Sequence, residues 1–99
     1  MNVYLLDITV DVDKKLEDLP AKHCAQIWRT IVKLRLDPRP QDSRPVTGYK
    51  PYLRVDTGEY RIIYLVSGNI VKIIVAGKRN DDEIYQEFKR KIKNIRFAA

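Results

Sequence analysis

Apolar and polar positions alternate with a period close to two across residues 52–85, YLRVDTGEYRIIYLVSGNIVKIIVAGKRNDDEIY, in three runs separated by two tight turns. In the middle run Tyr60, Ile62, Tyr64 and Val66 share one face, and Glu59, Arg61, Ile63 and Leu65 share the other. In the third run Ile70, Lys72, Ile74 and Ala76 alternate with Val71, Ile73 and Val75. Asp56-Thr57-Gly58 and Ser67-Gly68-Asn69 supply turn chemistry, because glycine accepts positive φ without a Cβ clash. The pattern predicts an antiparallel three-stranded meander. A sheet this small needs a helical cover to bury its apolar face.

The flanking segments read differently. Residues 3–8, VYLLDI, form an apolar run of strand length, placed at a sheet edge or against the meander. Thr9 or Asp11 caps a short helix over residues 11–18, with Asp11, Asp13 and Glu17 complementing its N-terminal half. Leu19-Pro20 ends it. A longer helix spans about 21–36, where Cys24, Ile27, Trp28, Ile31 and Leu34 make one amphipathic stripe and Trp28 anchors the core. Residues 37–48, DPRPQDSRPVTG, read as loop. A last helix begins near Asp82 with Asn80 or Asp81 as its cap and a stripe of Ile84, Phe88, Ile92 and Ile95. Cations from Lys89 to Arg96 crowd its C-terminal half.

Length and charge narrow the field. The 99 residues fit one domain, 1–99, with one core. No apolar run approaches the ~20 residues that span a bilayer, and none resembles a secretion signal, so the expected location is cytoplasmic. Cys24 is the one cysteine, which leaves no disulfide framework and no thiolate metal site. The formal net charge is +6, and it is uneven: residues 37–99 hold thirteen Lys/Arg against eight Asp/Glu. That excess suggests a polyanion or an acidic protein as partner.

The common catalytic signatures are missing. There is no glycine-rich phosphate loop and no histidine pair, and His23 stands alone near the start of the long helix, where a satisfied or solvated role is the ordinary one. Cys24 lies on the apolar stripe and reads as packed. Arginine remains. Tyr52 and Arg54 share a face of the first meander strand, Arg61 follows across the turn, and Lys78-Arg79 leave the third strand at its end. Tyr85 sits one position off the Ile84–Phe88 stripe, roughly 100° from the core face. Guanidiniums with tyrosines suit phosphate and base recognition. Solvated sheet-edge charges and amphipathic tyrosines are the competing explanation, and the residues alone weigh the two evenly.

The succession of Arg54, Gly58-Glu59-Tyr60-Arg61, Gly77-Lys78-Arg79 and Tyr85 resembles the RelE/ParE superfamily of type II toxin–antitoxin toxins, and most closely the RelE-like messenger-RNA interferases. An early Leu19-Pro20 between two helices fits the same family. The resemblance implies an α+β fold of microbial-ribonuclease type: a small antiparallel sheet, two N-terminal helices packed on it and a C-terminal helix. It implies a metal-independent, cofactor-free endoribonuclease that cuts messenger RNA in the ribosomal A site. The ribose 2′-hydroxyl attacks there, leaving a cyclic phosphate and a free 5′-hydroxyl. It also implies a cognate antitoxin and a toxin–antitoxin hetero-oligomer.

Carried over by position, Arg61 stabilises charge on the phosphoryl oxygens. Arg79 neutralises or protonates the leaving 5′-oxygen, and Tyr85 stacks on the base or assists removal of the 2′-proton. Arg54 stands where relatives often carry lysine. Tyr52 departs from a second family lysine, with Lys50 a partial replacement on the same face, and Lys50, Tyr52 and Lys78 are the RNA-binding residues the resemblance implies. Glu59 is an alternative general base. Two rivals are a ParE-like topoisomerase inhibitor, which usually lacks the Arg/Arg/Tyr set, and a catalytically inactive interaction module.

Overall fold

Glycine sets the chain reversals: Gly58 and Gly68 have φ of 59° and 58°, a region that residues with a Cβ rarely enter. At Gly58 a Cβ would also lie 2.6 Å from the Gln26 side chain. Thr57 pairs with Tyr60 and Ser67 with Ile70, so each turn is a two-residue loop between long strands.

The computed structural model describes residues 3–80 and 82–94. In chain order the elements are β1 (Leu5–Ile8), α1 (Val10–Glu17), α2 (Ala21–Leu34), β2 (Arg44–Pro45), β3 (Leu53–Thr57), β4 (Tyr60–Ser67), β5 (Ile70–Lys78) and α3 (Glu83–Asn94). The proposed cap Asp81 and the stripe and charge positions Ile95 and Arg96 lie outside the described residues. At the start of α3 the Asp82 carbonyl accepts from the amides of Tyr85 and Gln86, both at 3.1 Å.

The strands form one sheet in the order β1-β5-β4-β3-β2. The meander is antiparallel, as its alternation predicts, but β1 pairs with β5 in parallel, from Leu5 opposite Ile70 to Ile8 opposite Ile73. The sheet is therefore mixed rather than wholly antiparallel. Tyr4, Leu6 and Ile8 must bury one side, and they pack against the core. The edge of β3 is taken by β2, which the proline-rich segment supplies where loop was expected. The open edge of β5 remains, and its direction is already fixed by the meander.

Strict alternation also breaks in β5. Ile63 pairs with Val75 and Tyr64 with Ile73, which leaves Ile74 as an extra residue. Ile74 and Val75 both join the α3 side of the sheet, and Ala76 returns to the α1–α2 side. Among the described residues, the β5 edge has no strand partner beyond Ile73. There Thr9 Oγ1 and Lys91 Nζ donate to the Ile74 carbonyl, at 3.3 and 2.9 Å. Thr9 is also the N-cap of α1, its hydroxyl accepting from the Val12 amide.

Each face of the sheet has its own core. On one, α1 and α2 press Val12, Leu16, Ile27, Ile31 and Leu34 onto Val55, Ile62, Tyr64, Val71 and Ile73. On the other, α3 presses Ile84 and Phe88 onto Tyr52, Ile63, Leu65, Ile74 and Val75. Trp28 is half-buried against the first core rather than central to it. Tyr64 takes the central place, fully buried, with its hydroxyl donating to the Pro38 carbonyl at 2.8 Å.

Burial pushes the Tyr64 phenol up to about 12. A folded pKa above the unfolded value near 10 means stability complete below pH 10 and lost as pH rises toward 12. The loss is roughly 2–3 kcal/mol. Tyr64→Phe is expected to cost about 1–3 kcal/mol at neutral pH, because the Pro38 carbonyl loses its donor. It should also flatten the alkaline limb of the unfolding curve. Urea titrations at pH 7 and at pH 10–12 check both, and an unchanged alkaline limb would contradict the assignment.

Candidate nucleic-acid interface

The α3 side of the sheet is covered at one end and open at the other. Phe88 lies edge-on to Tyr52 and Tyr49, with ring centroids 5.0 and 5.3 Å apart. One turn earlier, Tyr85 stands where the sheet carries charge. Strand alternation places Arg54 and Asp56 of β3 on this side, and Asp56 is the cross-strand partner of Arg61 in β4.

Arg61 is gripped from two directions. Its Nε and Nη2 donate to Asp56 Oδ1 and Oδ2 at 2.6 and 3.1 Å, a side-on bidentate pair. Its Nη1 donates to the Tyr85 hydroxyl at 2.6 Å, with the guanidinium carbon 5.7 Å from the ring centre. The Arg61 side chain is only 15% exposed. Arg79 reaches the same carboxylate, Nη1 to Oδ2, at 3.9 Å. Its backbone is positioned by an amide hydrogen bond to the Glu59 carbonyl at 2.9 Å, which carries the β4–β5 pairing past the end of the strand.

The charges tune one another. The hydrogen bond from Arg61 holds the Asp56 carboxyl below its usual range, and attraction from Arg61, Arg54 and Arg79 adds to it. The same bond to Asp56 pushes the Arg61 guanidinium up. Asp56 is thus ionised at neutral pH, set among three permanent cations.

Of the residues singled out from sequence, Arg61, Arg79 and Tyr85 meet around Asp56, and Arg54 stands on the same side. Four others do not join them. Tyr52 shares the Arg54 face but is 7% exposed beneath Phe88, and burial pushes its phenol up. Its ring belongs to the core, which corrects the expectation that Tyr52 contacts RNA. Lys78 pairs across the strands with Tyr60 and so faces the α1–α2 side. There it lines a separate cavity of about 250 Å³ with Lys15, Leu16, Tyr60 and Glu83. The bulge at Ile74 does not put Lys78 and Arg79 together, because consecutive residues still diverge. Lys50 is exposed in the turn before β3, outside the strand, so alternation assigns it no face. Glu59 is exposed in the Gly58-Glu59 turn.

Asp56 is the residue that sequence reasoning missed as part of the site. It was read as turn chemistry, whereas the pairing of Thr57 with Tyr60 keeps it in the strand opposite Arg61. The signal was present in the spacing: a two-residue loop at Gly58-Glu59 makes Asp56 and Arg61 partners. Arg44 lies opposite Arg54 and is folded back onto the Gln41 and Ser43 carbonyls.

No family model and no curated protein sequence matches the chain. Solved structures do. A free-state mutant of the Escherichia coli toxin RelE superposes with a TM-score of 0.75 at 23% identity, covering 95% of this chain and 99% of that one. The RelE–RelB complex of Pyrococcus horikoshii gives a TM-score of 0.69 at 28% identity, over 80% of this chain and 97% of that one. The chain has a RelE-like fold. A toxin–antitoxin complex from Mycobacterium tuberculosis has the same fold, with a TM-score of 0.67 at 20% identity, covering 78% of this chain and 99% of that one. The open sheet flanked by three helices is thus the RelE α+β fold. In it, the residues by which the RelE resemblance was drawn lie largely at the open end of the α3 side.

Proposed function

We propose that this RelE-like chain is the toxin of a toxin–antitoxin pair and an endoribonuclease that cuts messenger RNA on the ribosome in the cytoplasm. The observation that carries the reading is Arg61, clamped between Asp56 and Tyr85 with Arg79 reaching the same carboxylate. Such a cluster stabilises negative charge on a phosphoryl group, and preorganised donors contribute most where charge develops. In the reaction, the ribose 2′-oxygen attacks phosphorus and gives up its proton to a water molecule, the bond from phosphorus to the 5′-oxygen breaks, and the 5′-oxygen takes up a proton from water. Arg61 stabilises the two non-bridging oxygens. Arg79 neutralises the leaving 5′-oxygen, and Tyr85 stands beside the attacked nucleotide. Arg54 attracts the neighbouring backbone. The products are a 2′,3′-cyclic phosphate and a 5′-hydroxyl.

The antitoxin is the second part of the proposal. Structures similar to this chain include RelE–RelB complexes, and a basic toxin gains steering from an acidic partner. The topoisomerase-inhibitor alternative does not call for Arg61, Arg79 and Tyr85 in one place. The test is cleavage of a defined message on programmed ribosomes, with the new 3′ ends analysed for cyclic phosphate. RNA binding should also weaken with salt, the log–log slope falling by about 0.7 for each phosphate neutralised. No cleavage together with salt-insensitive binding would remove the nuclease reading and favour a protein-only target.

A further inference from the structure

The Nε/Nη2 edge of Arg61 is the side-on fork with which arginine grips phosphate, and here a carboxylate of the chain itself fills it. We propose that Asp56 is a built-in substitute for an RNA phosphate, seated on Arg61 in the free protein and displaced when a phosphodiester enters. Resting on the nuclease reading only for the source of that phosphate, the inference concerns how the seat is regulated.

The geometry supports displacement rather than a permanent strut. The two Asp56 oxygens contact the fork as two non-bridging phosphate oxygens would, at 2.6 and 3.1 Å, and the second also faces Arg79 at 3.9 Å. A phosphodiester can take this edge of the guanidinium only when Asp56 leaves it. Departure is open to Asp56, because its side chain is 35% exposed and can turn into water. The Arg61 side chain, at 15%, stays held by Tyr85 through Nη1. Around the seat, among the described residues, Arg54, Arg61 and Arg79 outnumber the Asp56 carboxylate, so the cluster still attracts an anion while Asp56 occupies it. Asp56 therefore weakens binding of any isolated phosphodiester and leaves binding to RNA that is also held elsewhere.

The experiment measures fluorescence anisotropy of a short RNA with 2′-O-methyl groups throughout, which cannot be cleaved. Asp56→Asn is isosteric and removes only the charge. It is expected to tighten binding about tenfold and to steepen the salt slope by about 0.7, one further phosphate contact. Asp56→Ser should act in the same direction, which guards against a peculiarity of asparagine. In an Arg61→Gln background the gain from Asp56→Asn should disappear, because the competitor and the seat act as one unit.

Unchanged or weaker binding by both folded Asp56 variants would overturn the inference and make Asp56 a strut that positions Arg61. Absence of RNA binding by all the proteins would overturn it too. The nuclease reading is separated by the ribosome assay. Tighter RNA binding with no cleavage of a ribosome-bound message keeps the seat and discards the nuclease. Cleavage by the wild type without any gain from Asp56→Asn does the reverse.

Discussion

Replacing Arg61 with alanine is expected to slow cleavage of a ribosome-bound message by about 10²–10³ and to abolish growth arrest, while the protein stays folded. The rate loss is that of removing one preorganised donor from a developing oxyanion. The stability loss is smaller. Asp56 loses its bidentate partner, but its side chain is 35% exposed and rehydrates, so the cost is about 0.5–1 kcal/mol, near the upper range for an exposed ion pair. Arg61→Lys should restore only part of the rate, because an ammonium keeps the charge and loses the planar fork that reaches both Asp56 and Tyr85. Single-turnover cleavage kinetics and urea midpoints, taken on the same preparations, check both statements. A rate within a few-fold of the wild type for Arg61→Ala would refute the catalytic assignment.

Phe88→Ala should produce the largest stability loss. Phe88 is completely buried, and its ring meets the edges of Tyr52 and Tyr49 in the core beneath α3. Truncating a buried phenylalanine costs about 3–5 kcal/mol, out of a total of about 5–15 kcal/mol for a domain of this kind. Helix α3 is held to the sheet by that side chain, by Ile84 and by the bond from Lys91 to the Ile74 carbonyl. Weakening it also releases Tyr85 from Arg61, so activity should fall with stability although Phe88 touches no charged group of the site. Phe88→Leu, which keeps most of the volume, should recover much of both. Denaturant unfolding followed by near-ultraviolet circular dichroism reads the effect, and a loss below 1 kcal/mol would mean that α3 is anchored by something else.

The parts of the molecule legible in the sequence are those fixed by short-range chemistry. Gly58 and Gly68 locate the turns because positive φ excludes most other residues, and the Tyr60–Val66 alternation sets the faces of β4 because the side-chain period is two. Thr9 is legible as a cap because its hydroxyl satisfies an amide three residues on. What was hidden depends on distant partners. The parallel pairing of β1 requires knowing that β5 offers the free edge. The bulge at Ile74 follows from how β4 and β5 fit, and it returns Ala76 to the side opposite the one strict alternation gives.

The same division runs through the site. Arg61 and Tyr85 could be placed by period and by helical rotation. Tyr52 could not, because Arg54 on its own face is only half-buried, and burial at one end of a face depends on where α3 lies. Asp56 was obscured by its neighbours: beside Thr57 and Gly58 it looks like part of a turn, and only the tightness of that turn returns it to the strand.

The strand that joins the sheet together is made after every other described strand. β5 pairs with β1 on one side and β4 on the other, and it underlies both α1 and α3. During synthesis, then, α1 and α2 emerge long before the surface they cover exists. Residues up to about 70 hold β1, two amphipathic helices and an incomplete hairpin sheet, with the apolar faces of the helices turned to water. Contacts between segments so far apart in sequence close late and slowly. A nascent chain arrested before β5 should therefore be sensitive to protease and bind chaperones, and protection should appear in one step once β5 is free to pair. Arg79 and Tyr85 come later still, so no cation cluster forms until the scaffold beneath it is already committed.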